Sequence, residues 1–172
     1  AGVLHIAGFF VLPGLLDGRL PAALAAARGV GLFTSLDVVR SPRMQQPQAL
    51  WPCLPHLDLF LCNDAEAHIL TGRVQPEEAA GYLRSLGSRA VVVKAGGMGC
   101  WLDCDATLDG ASRRQWIPAL TVENVVDTTG AGDAFAAGLL ASWLREKDLF
   151  MACQAGHRAA ARIVQQLGAV TG

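Results

Sequence analysis

Residues 127–138 read DTTGAGDAFAAG, and this stretch decides the fold and chemistry expected of the 172-residue chain. Just before it, VENVV predicts a short strand over Glu123–Val126, ending at Asp127. Thr128, Thr129, Gly130, Ala131 and Gly132 are small and leave the backbone open to close approach. A helix is expected over Ala131–Lys147, because Phe135, Leu139, Leu140, Trp143 and Leu144 recur at three- and four-residue spacing. Strand, small-residue turn and helix N-terminus together make an anion site, since the first-turn N–H groups lack partners and the helix dipole favours negative charge. Asp133 sits inside that first turn. A carboxylate beside a bound phosphate is repelled, so its presence suits a base that accepts a proton from an attacking hydroxyl. A plainer reading has Thr129 as the helix cap and Asp133 as a dipole partner contributing about 0.3–1 kcal/mol. The turn alone leaves both readings open.

Outward from this segment, apolar runs alternate with helical ones. Strands are expected at Val3–Ile6, Gly31–Val39, Leu57–Cys62, Ala90–Ala95 and Arg113–Ile117, with a hairpin-like return through Cys100–Asp103. Helices are expected at Arg19–Arg28, Leu50–Leu54, Ala65–Leu70, Pro76–Leu86 and Asp148–Leu167. Pro76-Glu77-Glu78 is a good first turn, with proline at N1 and acids near the positive end of the dipole. Continuous Val/Leu/Ile strands between helices predict an α/β fold with a mainly parallel sheet flanked by helices in three layers. No repeat or linker divides the chain, so residues 1–172 are read as one domain, itself a partial one.

Fourteen Lys and Arg against 15 Asp and Glu give a net charge of −1, which argues against nucleic acid or a membrane surface as partner. The 52% hydrophobic content excludes a disordered chain, and the 17% charged content is low for a small domain covering all its own surface. No apolar run is long enough to span a bilayer, and AGVLHIAGFFVLPG has no basic n-region. Five cysteines, an odd number, read as reduced thiols of a cytoplasmic protein, and Cys100 with Cys104 lacks the partners of a zinc site. No P-loop occurs, and Phe135 stands where a dinucleotide fingerprint needs its third glycine. A dinucleotide-binding oxidoreductase is thereby disfavoured.

All seven residues of DTTGAGD match the C-terminal signature of the ribokinase-like (PfkB) family of carbohydrate and nucleoside kinases, which the chain resembles. Asn63-Asp64-Ala65-Glu66 resembles the family's N-x-x-E motif, and Val91–Gly99 (VVVKAGGMG) its nucleotide-side strand and glycine turn. The resemblance implies a ribokinase-like, Rossmann-like three-layer fold and transfer of the γ-phosphoryl of ATP to a sugar hydroxyl. Asp133 is then the general base, and the backbone N–H groups of Gly130, Ala131 and Gly132 are the anion hole. Asn63 and Glu66 organise Mg²⁺ with its water shell, Lys94, Gly96, Gly99, Thr128 and Thr129 lie against the nucleotide, and His157 borders the adenine. Asp127, with Thr129, matches positions that hold a monovalent cation such as K⁺ in some members. An adenosine or other nucleoside kinase of the same family, or a non-catalytic nucleotide-binding fragment, remains the alternative.

The family's G-G-x-x-x-N segment and β-lid are absent from these residues, so the chain is expected to be the C-terminal half of a longer kinase, lacking the N-terminal strands. Alone, it is expected to be inactive and prone to self-association through an open apolar edge. Family dimers often form through the lid, which makes a homodimer an expectation for a complete member.

Overall fold

The computed structural model describes residues 2–110 and 112–168. Six strands hydrogen-bond in the order in which they occur: β1 (Val3–Ala7), β2 (Phe33–Asp37), β3 (Leu59–Asn63), β4 (Ala90–Lys94), β5 (Gly99–Cys104) and β6 (Arg113–Pro118). The first four pair in parallel. Beyond β4 the connections are too short for a parallel crossover, which takes a dozen or more residues, so β5 and β6 return antiparallel. The mainly parallel α/β architecture read from the apolar strands is therefore present, as a mixed sheet flanked by helices.

Six helices accompany the strands: α1 (Leu20–Gly29), α2 (Asp64–Thr71), α3 (Pro76–Ser85), α4 (Ala106–Asp109), α5 (Ala131–Glu146) and α6 (Leu149–Ile163). The Leu50–Leu54 helix is a 3-10 turn over Trp51–His56, where Pro52 and Pro55 deny the backbone donors of a longer helix. Glu123–Val126 is not a strand. The N–H groups of Val126 and Asp127 bond the Val164 carbonyl at the end of α6, so this segment joins no ladder. The last helix stops at Ile163 rather than Leu167.

The chain divides into two compact units. The first comprises Ala1–Lys94 with Trp101–Gln115; the second comprises Ala95–Cys100 with Trp116–Gly172. In the first, Leu36, Phe60, Val91 and Val93 of the strands pack with Phe9, Phe10, Leu24, Leu54 and Leu83 in one core. Strands β2 to β4 are buried on both faces, which is why β3 and β4 read as unbroken apolar runs rather than alternating ones, while β2 buries Thr34, Ser35 and Asp37 among its apolar residues. Opposite the strand ends that carry the candidate site lies an ionic knot. Asp58 accepts from the Thr34 N–H and from Arg89, and stands 3.6 Å from Arg28.

In the second unit α5 packs on α6. The apolar repeat buries Phe135, Leu139 and Trp143, whereas Leu144 is exposed and Leu140 only half-buried; Ala136 and Ser142 take the remaining inner positions. Small residues set the distance between the two helices. A Cβ on Gly138 would lie 2.8 Å from the Ala155 carbonyl oxygen, and one on Gly156 would lie 2.8 Å from the Phe135 ring.

Candidate active site

In the first unit the candidate residues gather at the carboxyl ends of β2, β3 and β4, where open α/β sheets bind ligands. Register puts them there: Ala7 pairs with Asp37, Asp37 with Leu61, and Asn63 with Lys94. Asn63 ends β3 and caps α2. Its Oδ1 accepts the Glu66 N–H at 2.8 Å, and Glu66 Oε2 accepts the Asn63 N–H at 2.8 Å, completing a capping box. Glu66 Oε1 accepts a second N–H, from Arg40 at 3.1 Å. The residue is 4% exposed, so it is not the solvated helix-start acid that its neighbours Asp64 and Ala65 suggest. Burial raises its carboxyl above the usual range, the nearby Asp37 charge adds to this, and the backbone donors and Lys94 oppose it.

The N-x-x-E spacing is itself the capping-box pattern, so a structural duty for both residues was open to sequence reading. Each Glu66 oxygen keeps one lone pair beyond its backbone bond. That arrangement fits a carboxylate that orients water around a Mg²⁺ ion while the backbone holds it in place. Among the described residues no cluster of three or more His, Cys, Asp or Glu forms a metal cage.

Lys94 does not reach solvent as a solitary strand-end cation. Its Nζ donates to Asp37 Oδ2 at 2.7 Å, with both side chains largely buried. Asp37 is a polar residue of this group that sequence reading passed over; its signal was an acid closing the apolar strand FTSLD. The cysteines are not nucleophiles here: all five are buried, and burial alone pushes the Cys53 thiol up to about 11.

In the second unit the glycine turn after β4 is tight. The Ala95 N–H bonds the Gly99 carbonyl at 2.8 Å, and Gly96 adopts φ +55° with open space where a side chain would stand. Gly99 has a packing reason of its own, because a Cβ there would lie 2.2 Å from the Ile117 carbonyl oxygen.

The DTTGAGD turn is built by Asp127. Its Oδ1 accepts the Thr129 N–H at 2.9 Å and its Oδ2 accepts the Gly168 N–H at 3.1 Å. The Thr129 N–H and hydroxyl, then the Gly168 N–H, hold this carboxyl below its ordinary value. Thr129 is not the cap of α5. Gly130 occupies that position in the left-handed region at φ +78°, and no side chain covers the first-turn N–H groups. The helix thus starts without a side-chain cap, the Ala131 N–H turning back to the Thr128 carbonyl at 3.2 Å, and Asp133 stands exposed in its first turn with no hydrogen bond or ion pair among the described residues. Further along, His157 is 7% exposed, meets the Phe135 ring edge-on at 5.1 Å, and leaves Nε2 without a partner among the described residues.

Comparisons with known proteins identify the family. The profile of the pfkB family carbohydrate kinases matches residues 1–172. A 2-dehydro-3-deoxygluconokinase of Bacillus subtilis is 34% identical over 184 aligned residues, covering 100% of this chain and 53% of that protein. An adenosine kinase of Schizophyllum commune is 27% identical, covering 95% of this chain and 51% of its own length. Among solved structures, a PfkB protein from Polaromonas superimposes with a TM-score of 0.77 at 28% identity, covering 97% of this chain and 54% of that one. The chain spans about half the length of these relatives. No helix among the described residues is long and apolar enough to cross a membrane. With a family profile matched from end to end and the same half-length match in sequence and structure, the chain belongs to the pfkB family of carbohydrate kinases.

Proposed function

We propose that these residues form the catalytic and nucleotide-binding portion of an ATP-dependent phosphotransferase that moves the γ-phosphoryl group to a sugar hydroxyl. One observation carries this reading above the others: α5 begins with no side-chain cap over Gly130–Gly132, where only the Ala131 N–H has a backbone partner, and with a carboxylate at Asp133 that has no partner among the described residues. A helix that needed only a stable start would carry a side-chain cap; this one presents donors to an anion and a base beside them. Asp133 takes the proton of the acceptor hydroxyl as its oxygen attacks phosphorus. The amides hold the charge that builds on the transferring oxygens, and cost no reorganisation because Asp127 has already fixed the turn.

Mg²⁺, when bound, neutralises the phosphates, and Asn63 and Glu66 are the residues that would order its water shell. His157 suits the base of the nucleotide, since its buried Nε2 has no partner among the described residues. Asp127 and Thr129 remain the candidate monovalent-cation residues. The relatives include kinases named for a sugar acid and for adenosine, so a nucleoside acceptor is the second reading. Phosphoryl transfer depends on holding the acceptor in line, and the chain spans only half of its relatives; the 172 residues alone are expected to bind nucleotide without turnover.

The experiment is a titration of the chain with ATP, followed through its backbone amide signals. Gly130, Ala131, Gly132 and Asp133 should move most. If the shifts fall elsewhere while these four signals stay still, the anion-hole assignment fails.

A further inference from the structure

Asp127 fixes the turn that opens α5, and the segment beyond α6 holds Asp127. On the approach to the turn, the Val126 N–H donates to the Val164 carbonyl at 2.7 Å and the Asp127 N–H to the same oxygen at 3.3 Å. That carbonyl lies at the end of α6, where a helix leaves acceptors without an intrahelical donor. Four residues on, the Gly168 N–H donates to Asp127 Oδ2 at 3.1 Å, while Oδ1 takes the Thr129 N–H at 2.9 Å. One carboxylate thus ties the catalytic turn to the segment after α6, and every partner lies in the second unit.

The tie is built at both ends. The Gln166 N–H returns to the Ile163 carbonyl at 3.0 Å, so the segment after α6 is itself folded back. Gly168 adopts φ +85°, in the left-handed region, with nothing within 4 Å of the place where a side chain would stand. Space does not call for glycine there; the backbone conformation that brings its N–H to Asp127 does. Amides that stabilise a transition state must be in place before the charge develops. No side chain caps α5, so the bonds through Asp127 are the side-chain contacts that place its first turn.

We propose that Gly168 is a positioning residue for phosphoryl transfer: its N–H, acting through Asp127, sets the amides of Gly130–Gly132 where the transferring oxygens gather charge. The words phosphoryl transfer rest on the kinase reading; the hold of Gly168 on the turn does not.

Valine at 168 tests it, since a β-branched residue is strained at positive φ, whereas asparagine tolerates that region. Gly31 is the matched control, at φ +82° and equally without neighbours within 4 Å, but in the first unit. In the 172-residue chain without ATP, Gly168→Val should shift the amide signals of Thr129 and Gly130–Gly132. Gly168→Asn should leave them near the parent's, and Gly31→Val should not move them. In the full gene product Gly168→Val should lower kcat at least about tenfold and leave KM for ATP within about threefold, because the amides act on charge that exists only in the transition state. Gly168→Asn should recover most of that loss, and Gly31→Val should keep both constants within about threefold. In an Asp127→Asn background, Gly168→Val should cost at most about threefold more, since both act through one bond. Turn signals indifferent to Gly168→Val in a folded variant, or moved equally by Gly31→Val, would overturn the proposal. So would moved signals with an unchanged kcat, or losses that multiply in the double variant. A parent gene product that transfers no phosphoryl group removes the kinase reading instead, and the turn signals alone then decide whether Gly168 holds the turn.

Discussion

Glu66 shows how one residue joins fold to site. Its two oxygens hold the start of α2 and the loop after β2, and its burial leaves the carboxyl harder to ionise than in water. Glu66→Gln keeps the volume but turns an amide N–H₂ toward a backbone donor. It should lower unfolding stability by about 1–3 kcal/mol in a urea titration, the cost of an unsatisfied buried group. The pH dependence follows in sign. The folded state holds the Glu66 proton more tightly than the unfolded chain, so this group's contribution grows as pH falls from neutral through its raised value toward the ordinary 4.5, and shrinks as pH rises. The parent's lead over Glu66→Gln should therefore widen as pH falls through that window and stay constant above it. Two curves parallel throughout would remove the assignment of a raised carboxyl to Glu66.

Between helices the controlling groups are hydrogens on glycine. Gly138→Ala places a methyl against the Ala155 backbone and the Ala159 side chain, and should destabilise by about 1–3 kcal/mol because a backbone cannot yield as a side chain can. Gly99→Ala should be worse, meeting the Ile117 carbonyl at 2.2 Å in a backbone region that favours glycine. Gly97→Ala has open space and should stay within about 0.5 kcal/mol. Thermal melts of the three variants rank them, and a Gly97→Ala variant as damaged as Gly99→Ala would contradict this packing account. The same scale explains what sequence could tell. Buried strands such as LFLC declare themselves by continuous apolar residues, and α3 by its proline and acids, because those signals are local. The segment before Asp127 misled because Val125 and Val126 look like strand residues, yet the Val126 N–H bonds the Val164 carbonyl at the end of α6, 38 residues on. The small-residue turn before Asp133 was legible in the sequence. The Lys94–Asp37 pair was not, since it depends on residues brought together across strands.

At the scale of the folded chain, the first unit separates its duties between the two ends of its strands. Asp37, Asn63, Glu66 and Lys94 occupy the carboxyl ends, whereas Asp58, Thr34 and Arg89 knot the opposite ends. Removing the knot with Asp58→Ala leaves the Arg89 and Thr34 donors uncompensated and should lower stability by about 3 kcal/mol, near the low end for breaking a buried pair because both arginines are partly exposed. Ligand affinity measured well below the melting temperature should not change. A variant that folds normally but loses ATP binding would show that the two ends are not independent.

The central claim is that Asp133 is the base of a phosphoryl transfer. It is tested most directly by Asp133→Asn in the full gene product, comparing ATP affinity with the rate of acceptor phosphorylation. The account predicts ATP binding kept or slightly tightened, since a like charge beside the phosphates is gone, and kcat lowered by at least about 10²-fold. A kcat within about threefold of the parent would contradict it.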